Sequence, residues 1–192
     1  AGFAGAENAS TPQSKSLTLQ QAITMAMENN SQIEAQQLAV KSAELDVDAA
    51  KRAAERADMD LIPVSLRNQN IYLATDVAPL QAKEAYEFSL VQLDYLKNSI
   101  AYGVETAYYG LLTAEKMEEV NQTSLNRAQA QLKDAQAKFD VGTVAKIDVL
   151  TAESNVKTAE VNLSEAKNSV KQAEMALNQL LRLSLDTPLD LK

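Results

Sequence analysis

The chain has 192 residues, with 26 acidic and 18 basic side chains and a formal net charge of −8. It contains no cysteine and no histidine, which excludes disulfides and thiolate chemistry and removes the commonest general base and metal ligand. The acidic excess is spread along the chain, and no basic stripe with interleaved aromatic residues indicates nucleic-acid binding. Few Gly and Pro residues among many Ala, Leu, Gln, Glu and Lys residues predict long helices.

The first 16 residues are small and polar, and they predict a disordered N-terminal segment. They lack the basic start and the apolar run of an intact signal peptide, so we expect a mature exported chain. No stretch of the sequence approaches the roughly 18 apolar residues that a membrane-spanning helix requires.

Two helices are predicted next, over residues 18–29 and 31–57. Thr18, with Gln21 three residues later, predicts a capping box at the start of the first helix. Ser31 is expected to cap the second helix, because Ser oxygens accept hydrogen bonds from the free N–H groups of a first helical turn.

A loop and two long helices complete the predicted elements. Residues 58–79 contain two prolines and lack a helical period, so they predict a loop or a short strand pair. Residues 80–139 and 144–182 carry a heptad seam, in which a larger side chain alternates with alanine. The seam positions are Ile100, Val104, Ala107, Leu111, Ala114, Glu118, Asn121, Leu125, Ala128, Leu132, Ala135 and Phe139, then Val149, Ala152, Val156, Ala159, Leu163, Ala166, Val170, Ala173, Leu177 and Leu180. The pattern predicts an all-α fold, a long antiparallel coiled-coil hairpin plus shorter N-terminal helices, as one elongated domain over residues 17–192.

The turn between the two long helices contains one glycine in an otherwise helical sequence. Gly142 can adopt the left-handed conformation that ends a helix, and Thr143 is predicted to cap the next helix. Val141 and Val144 are apolar at a position where charged residues are expected. Either they form a contact surface or they pack within the turn.

Several polar and aromatic residues are candidates for a functional role. Tyr108 and Tyr109 predict packing against a neighbouring helix or, alternatively, a ligand platform. Glu118 and Asn121 interrupt the apolar seam, where they either set its register or face water. The sequence shows no catalytic constellation, no phosphate-binding loop and no metal-ligand spacing, so we predict no enzyme activity, no cofactor and no metal site.

Short motifs at fixed separations give the chain a family resemblance. The segments AYYGLL, FDVGT and DVLTAES, together with the opening SLTLQQAITMAMENN, resemble the TolC-like outer-membrane efflux proteins. The resemblance covers about one of the two tandem repeats that this family normally has, and it implies one repeat of an α-helical tunnel. Residues 58–79 stand where the family has its outer-membrane strands, but neither alternating face of this segment is continuously apolar.

The resemblance also implies a function, a set of partners and a site. The chain is expected to form the wall of an efflux or secretion duct in the cell envelope, as the periplasmic part of an outer-membrane-associated complex. Its expected partners are further copies of itself (a trimer for a two-repeat chain, about six copies for one repeat), a periplasmic adaptor protein and an inner-membrane transporter. Phe139, Val141, Gly142 and Thr143 match the family's adaptor-contact turn. Asp148 matches a position that lines the closed aperture in some members, although the residue pattern alone favours a solvated surface carboxylate.

A second class of function stays open at this point. A structural or adaptor coiled-coil module would bind partners without forming a pore. A tunnel wall must pack neighbours on both flanks, and Leu112, Met117 and Val120 hint at a second apolar stripe.

Overall fold

A computed structural model describes residues 15–57 and 69–192 of the protein. These residues are almost entirely helical. In chain order they form β1 (Lys15–Leu17), α1 (Leu19–Glu28), α2 (Ser31–Ala57), α3 (Gln69–Tyr72), α4 (Ala78–Asp140), α5 (Lys146–Leu180) and β2 (Leu189–Leu191), with a π-helical turn, Leu73–Val77, between α3 and α4. The predicted all-α fold with a long helical hairpin is therefore confirmed.

The chain divides into two compact units. One unit, which we call the α2 unit, is Thr24–Tyr102, and the other, the tip unit, is Gly103–Lys192 with the described part of Ala1–Ile23. Helix α4 contributes residues to both units. The prediction of a single elongated domain therefore stays a prediction.

Side-chain caps fix where the first two helices begin. The predicted capping box is present, since the Thr18 N–H donates to Gln21 Oε1 at 3.0 Å and the Gln21 N–H donates to Thr18 Oγ1 at 3.4 Å. The predicted cap at Ser31 is wrong. Asn30 caps α2 instead, because its Oδ1 accepts the Gln32 N–H at 2.8 Å while Ser31 is already the first helical residue.

The prediction for residues 58–79 is wrong for the part that the structure describes. Residues 69–79 are helical, and α4 begins at Ala78 rather than near residue 80. The π-helical turn explains how Pro79 is accommodated, because the Ala78 N–H bonds back to the Leu73 carbonyl across a wider turn than an α-helix has. Residues 58–68, and the first 14 residues predicted to be disordered, lie outside the described residues.

In the α2 unit, α2 contacts the first part of α4 through a heptad seam. Gln36 Nε2 donates to the Ser89 carbonyl at 3.3 Å and to Gln92 Oε1 at 3.2 Å. We call the buried and half-buried positions that follow one another at spacings of three and four residues the inner seam of each helix. They are Ile33, Gln36, Val40, Ala43, Val47, Ala50 and Ala54 in α2, and Ala82, Tyr86, Ser89, Leu93, Leu96 and Ile100 in α4.

In the tip unit, the rest of α4 packs antiparallel against α5. Leu125 and Ala128 of α4 form a buried cluster with Val156 and Leu163 of α5. Every predicted seam position from Val104 to Ala135, and from Val149 to Leu177, is buried or half-buried, as the heptad pattern predicts. The two outermost predicted positions, Phe139 and Leu180, are exposed.

The inner seam of α4 changes register where the two units meet in the sequence. Spacings of three and four residues alternate up to Ile100, and a second spacing of four then leads to Val104. Two consecutive spacings of four residues locally change the winding of a heptad seam. Here the change occurs where the partner of α4 changes from α2 to α5.

A short parallel ribbon, which the sequence did not predict, closes the tip unit. Strand β1 pairs with β2 in the register Lys15 to Leu189. The buried Tyr108 hydroxyl donates to the Lys192 carbonyl at 2.6 Å and accepts the Lys192 N–H at 3.2 Å, and it lies 3.3 Å from the Leu17 carbonyl. One side chain of α4 therefore contacts both strands of the ribbon at their C-terminal ends.

Candidate functional site at the hairpin tip

The turn between α4 and α5 has the hydrogen bonds of a Schellman motif. Gly142 has a φ of 77°, so the predicted left-handed glycine is confirmed. The Thr143 N–H donates to the Lys138 carbonyl at 2.9 Å, and the Gly142 N–H donates to the Phe139 carbonyl at 2.8 Å. These bonds satisfy the last carbonyls of α4 and fix the direction of the chain at the tip.

The predicted capping role of Thr143 is wrong. Its hydroxyl donates to the Lys138 carbonyl at 2.8 Å, so it completes the end of α4 instead of starting α5. The residue that precedes α5 is Ala145, which has an extended backbone and no side-chain oxygen. Thr143 therefore lies two residues too early to reach the free N–H groups of α5.

Asp148 supplies the missing cap of α5. Its Oδ2 accepts the Ala145 N–H at 3.0 Å, and its own N–H donates to the Ala145 carbonyl at 3.0 Å. A carboxylate in the first turn also interacts favourably with the positive end of the helix dipole. Asp148 is exposed and has this local structural role in the single chain.

Apolar side chains around the turn remain open to solvent. Val141 is 74% exposed and Phe139 is 37% exposed, while Val144 is half-buried. Ile147 and Leu150, among the first five residues of α5, are 65% and 47% exposed. We call Phe139, Val141, Ile147 and Leu150 the tip surface.

Sequence reasoning identified half of the tip surface and missed the other half. Ile147 and Leu150 are spaced three residues apart, and neither lies on the a/d seam that starts at Val149. Apolar residues outside the seam, next to the turn, were the signal that could have found them.

Polar groups flank this apolar patch on the last turns of α4. Lys138 Nζ lies 2.6 Å from Asp134 Oδ2, and Gln136 Nε2 donates to Asp140 Oδ1 at 3.0 Å. Both pairs link residues four apart on one helix, so they stabilise the end of α4 and leave the apolar side chains free. An apolar centre with a polar rim is the usual composition of a protein-binding surface.

The other residues considered from the sequence have structural roles or lie on open surface. Tyr108 anchors the ribbon, and Tyr109 is exposed with its ring edge-on to Tyr108, the centroids 5.8 Å apart. Asn121 Nδ2 donates to the Met117 carbonyl of its own helix at 2.8 Å, so this bond does not set the register between helices. Glu118 is half-buried. Across residues 15–57 and 69–192, no three acidic side chains converge in a way that could hold a metal ion.

Comparison with known families identifies the class of protein to which this hairpin belongs. The profile of the family described as outer membrane efflux protein matches residues 68–181, more than half of the chain. The chain belongs to the outer membrane efflux protein family. A search of curated proteins finds no significant match.

Family membership gives the general function. Outer membrane efflux proteins are components of transport channels and are not enzymes, so the chain is a transport component of the cell envelope. None of the helices within the described ranges is both long enough and apolar enough to cross a membrane.

Proposed function

We propose that the chain forms part of the wall of an efflux duct and binds a periplasmic adaptor protein through the tip surface. The duct is a homo-oligomer that conducts solutes from an inner-membrane transporter, and its helices form a coiled-coil wall in the periplasm. No reaction takes place in it.

The exposed tip surface is the observation that supports adaptor docking. A hairpin that ended in solvent would be expected to carry charged or small polar residues at its tip. Here four apolar side chains surround a turn whose backbone is fixed by the Schellman bonds. Because the end of the hairpin is rigid, it loses little conformational entropy on binding. Its apolar centre and polar rim suit a partner that presents apolar helix ends.

The proposal is tested in cells that depend on this chain for export. Val141→Asp is expected to raise the accumulation of ethidium strongly, because it places a charge in the centre of the docking surface. Val161→Asp is the matched control, since Val161 is also an exposed valine but lies 15 residues beyond Lys146, the first residue of α5, which is about 22 Å along the helix. Equal export by both variants would contradict the proposed role of the tip.

A photo-crosslinker at position 141 identifies the partner directly. A benzophenone side chain in place of Val141 is expected to form an adduct with an envelope adaptor protein, identified by mass spectrometry, and the same group at Val161 is expected to form none. Adducts at 161 alone would contradict the proposal.

A ring of Asp148 carboxylates around the aperture is a further part of this proposal. The substitution Asp148→Asn removes the charge and keeps a side-chain oxygen that can accept the Ala145 N–H. A change in the cation dependence of export without loss of thermal stability supports the aperture role. Unchanged export would leave Asp148 with its capping role alone.

A further inference from the structure

A groove between α4 and α5 in the tip unit lies outside the tip surface and has no part in the proposed docking. Its volume of about 430 Å³ is within the usual range for small-molecule sites. Gly110 and Ala114 of α4 and Ala166 of α5 line it, and none of them has a side chain larger than a methyl group. These short residues leave open space between the two helices. We call this space the α4–α5 groove.

The polar side chains of the groove mainly offer oxygen atoms to a ligand. Three of them donate to the backbone carbonyl four residues earlier in their own helix: Thr113 at 2.7 Å, Asn121 at 2.8 Å and Ser169 at 3.0 Å. Each hydroxyl proton is therefore used within its helix, and each hydroxyl oxygen keeps a lone pair that can accept a hydrogen bond. The groove is suited to a ligand that donates hydrogen bonds.

The charge of the groove is negative. Among the described residues that line it, only Glu165 is charged. Glu160, on the same helix, pairs with Lys157 at 2.8 Å, whereas Glu165 has no ion pair within residues 15–57 and 69–192. An unpaired carboxylate attracts a cation, and the attraction increases beside apolar surface, where less water screens it.

Met117 gives the groove an apolar wall. It lines the groove and is 58% exposed. A methionine side chain is flexible and polarisable, and its sulfur packs favourably against aromatic rings. An inorganic divalent cation would need several oxygen ligands at short distance, whereas one carboxylate beside an apolar wall fits a flat aromatic cation.

The groove opens on the side of the hairpin that carries Asp148. With the inner-seam residues of the tip unit labelled a and d, so that Val104 and Val149 are a positions, Asp148 occupies heptad position g. The groove residues Asn162 and Ser169 follow Asp148 at multiples of seven residues and share this position. A ring of Asp148 carboxylates around the passage therefore places the groove on the wall of the same passage.

We propose that the α4–α5 groove binds aromatic organic cations that carry N–H donors. The Glu165 carboxylate faces the positive charge, the neutral oxygens accept the N–H groups, and the ring lies against Met117. The inference names a class of solute for the proposed duct, and its biological role rests on that proposal. Binding itself is a property of the single chain, so it can be measured apart from assembly and export.

Ethidium is the probe, since it is a flat aromatic cation with amino groups. The purified full chain is titrated against it, and a saturable rise in fluorescence anisotropy is expected. Fluorescein, a flat aromatic anion, is expected to give none. Added salt is expected to weaken the binding of ethidium, because it screens an exposed carboxylate.

Two glycine variants test whether the groove is the site. Gly110→Leu fills the groove and is expected to abolish saturable binding. Gly103→Leu, one heptad earlier on α4 and outside the groove, is the matched control and is expected to bind as the wild type does. An added Cβ meets no atom within 4 Å at either position, and circular dichroism is expected to show unchanged helicity in both variants.

A second pair of variants tests the charge. Glu165→Gln is expected to weaken binding by about two- to fivefold, the size of the effect of an exposed ion pair. Glu153→Gln removes an exposed carboxylate 12 residues earlier on α5, about 18 Å away along the helix, and is expected to leave binding unchanged. Equal weakening by both variants would show a general attraction to the acidic chain and would overturn the inference.

The remaining outcomes separate this inference from the proposed function. Absence of saturable ethidium binding, or equal binding by Gly110→Leu and the wild type, overturns the groove as a site. If Val141→Asp still abolishes export, the duct proposal stands without the groove. Binding in the groove together with equal export by Val141→Asp and Val161→Asp overturns docking at the tip and leaves the groove intact.

Discussion

The outer surfaces of the two units differ far more than their inner seams do. In both units, α4 buries a seam of apolar residues against a partner helix. On the opposite side, the α2 unit exposes the aromatic side chains Phe88, Tyr95 and Tyr102 of α4, and Leu38 and Leu45 of α2. The c and f positions of α4 in the tip unit are also exposed, but they are mostly small or polar: Thr106, Tyr109, Thr113, Lys116, Val120, Thr123, Arg127, Ala130, Asp134 and Ala137.

This difference indicates a division of roles along α4. The exposed aromatic side chains of the α2 unit have much to gain from burial, since each buries 150–250 Å², roughly, when it is fully covered. The Thr, Lys and Arg side chains at the matching positions of the tip unit gain little and remain hydrated. We expect copies to be held together by the α2 unit, while the tip unit uses its end for docking.

The largest effect on stability is expected for the inner seam of the tip unit. Leu111→Ala removes a fully buried side chain and is expected to lower the free energy of unfolding by about 2–5 kcal/mol. Tyr95→Ala, on the exposed face, is expected to change the unfolding of the single chain by less than about 0.5 kcal/mol. Urea denaturation measures both, and a similar cost for the two variants would contradict the assignment of inner and outer seams.

The next effect concerns the ribbon of the tip unit. Tyr108→Phe removes the hydroxyl that donates to the Lys192 carbonyl, while the Lys192 N–H keeps its bond to the Leu17 carbonyl, and the variant is expected to cost about 0.5–1.5 kcal/mol. Faster amide exchange is expected at Leu17 and Leu191, and unchanged exchange in the cluster around Leu125. Wild-type exchange rates in β1 and β2 would show that the tyrosine does not hold the ribbon.

Two glycines of the tip unit are expected to respond with opposite signs. Gly142→Ala forces a side chain into a left-handed conformation and is expected to cost about 1 kcal/mol. Gly110→Ala lies within α4, where an added Cβ meets no atom within 4 Å, and is expected to stabilise by about 0.5–1 kcal/mol. Thermal denaturation distinguishes them, and a loss of stability in both variants would contradict the turn geometry.

The smallest effect is expected for a carboxylate beside the ribbon. Burial, followed by repulsion from Glu174 and Asp190, raises the pKa of Glu115 above its ordinary value of 4.5. A carboxyl group whose pKa is raised by folding destabilises the folded state when it is ionised, and this cost disappears as the pH falls to the unfolded-state pKa. Glu115→Gln is therefore expected to raise the melting temperature slightly near neutral pH.

The pH dependence provides the control for this variant. The stabilisation by Glu115→Gln is expected to vanish at about pH 4, where the native carboxyl group is largely protonated in the folded and unfolded states. An equal gain at both pH values would show that the effect does not come from charge.

The long helices and the inner seam of the tip unit could be predicted from the sequence because heptad spacing is a local, repeated signal. The ribbon could not, because three-residue strands carry no periodic pattern and pair residues almost the whole chain apart. At the tip, the left-handed turn could be predicted because it contains a glycine, Gly142. The cap of α5 could not be predicted, because it is a single hydrogen bond from the Ala145 N–H to the carboxylate of Asp148, three residues later. The helix at residues 69–77 was not predicted, because Pro79 follows it and proline usually interrupts a helix. The π-helical turn before Pro79 relieves this effect.

Solution mass across a range of concentrations tests the division of roles most directly. The account predicts that the wild-type chain and Thr123→Lys, a substitution on the polar outer side of the tip unit, assemble to the same mass. Tyr95→Lys is predicted to give the mass of a single chain with unchanged helicity, since a lysine in place of this exposed aromatic ring prevents packing between copies. An assembled Tyr95→Lys variant, or dissociation by Thr123→Lys alone, would contradict it.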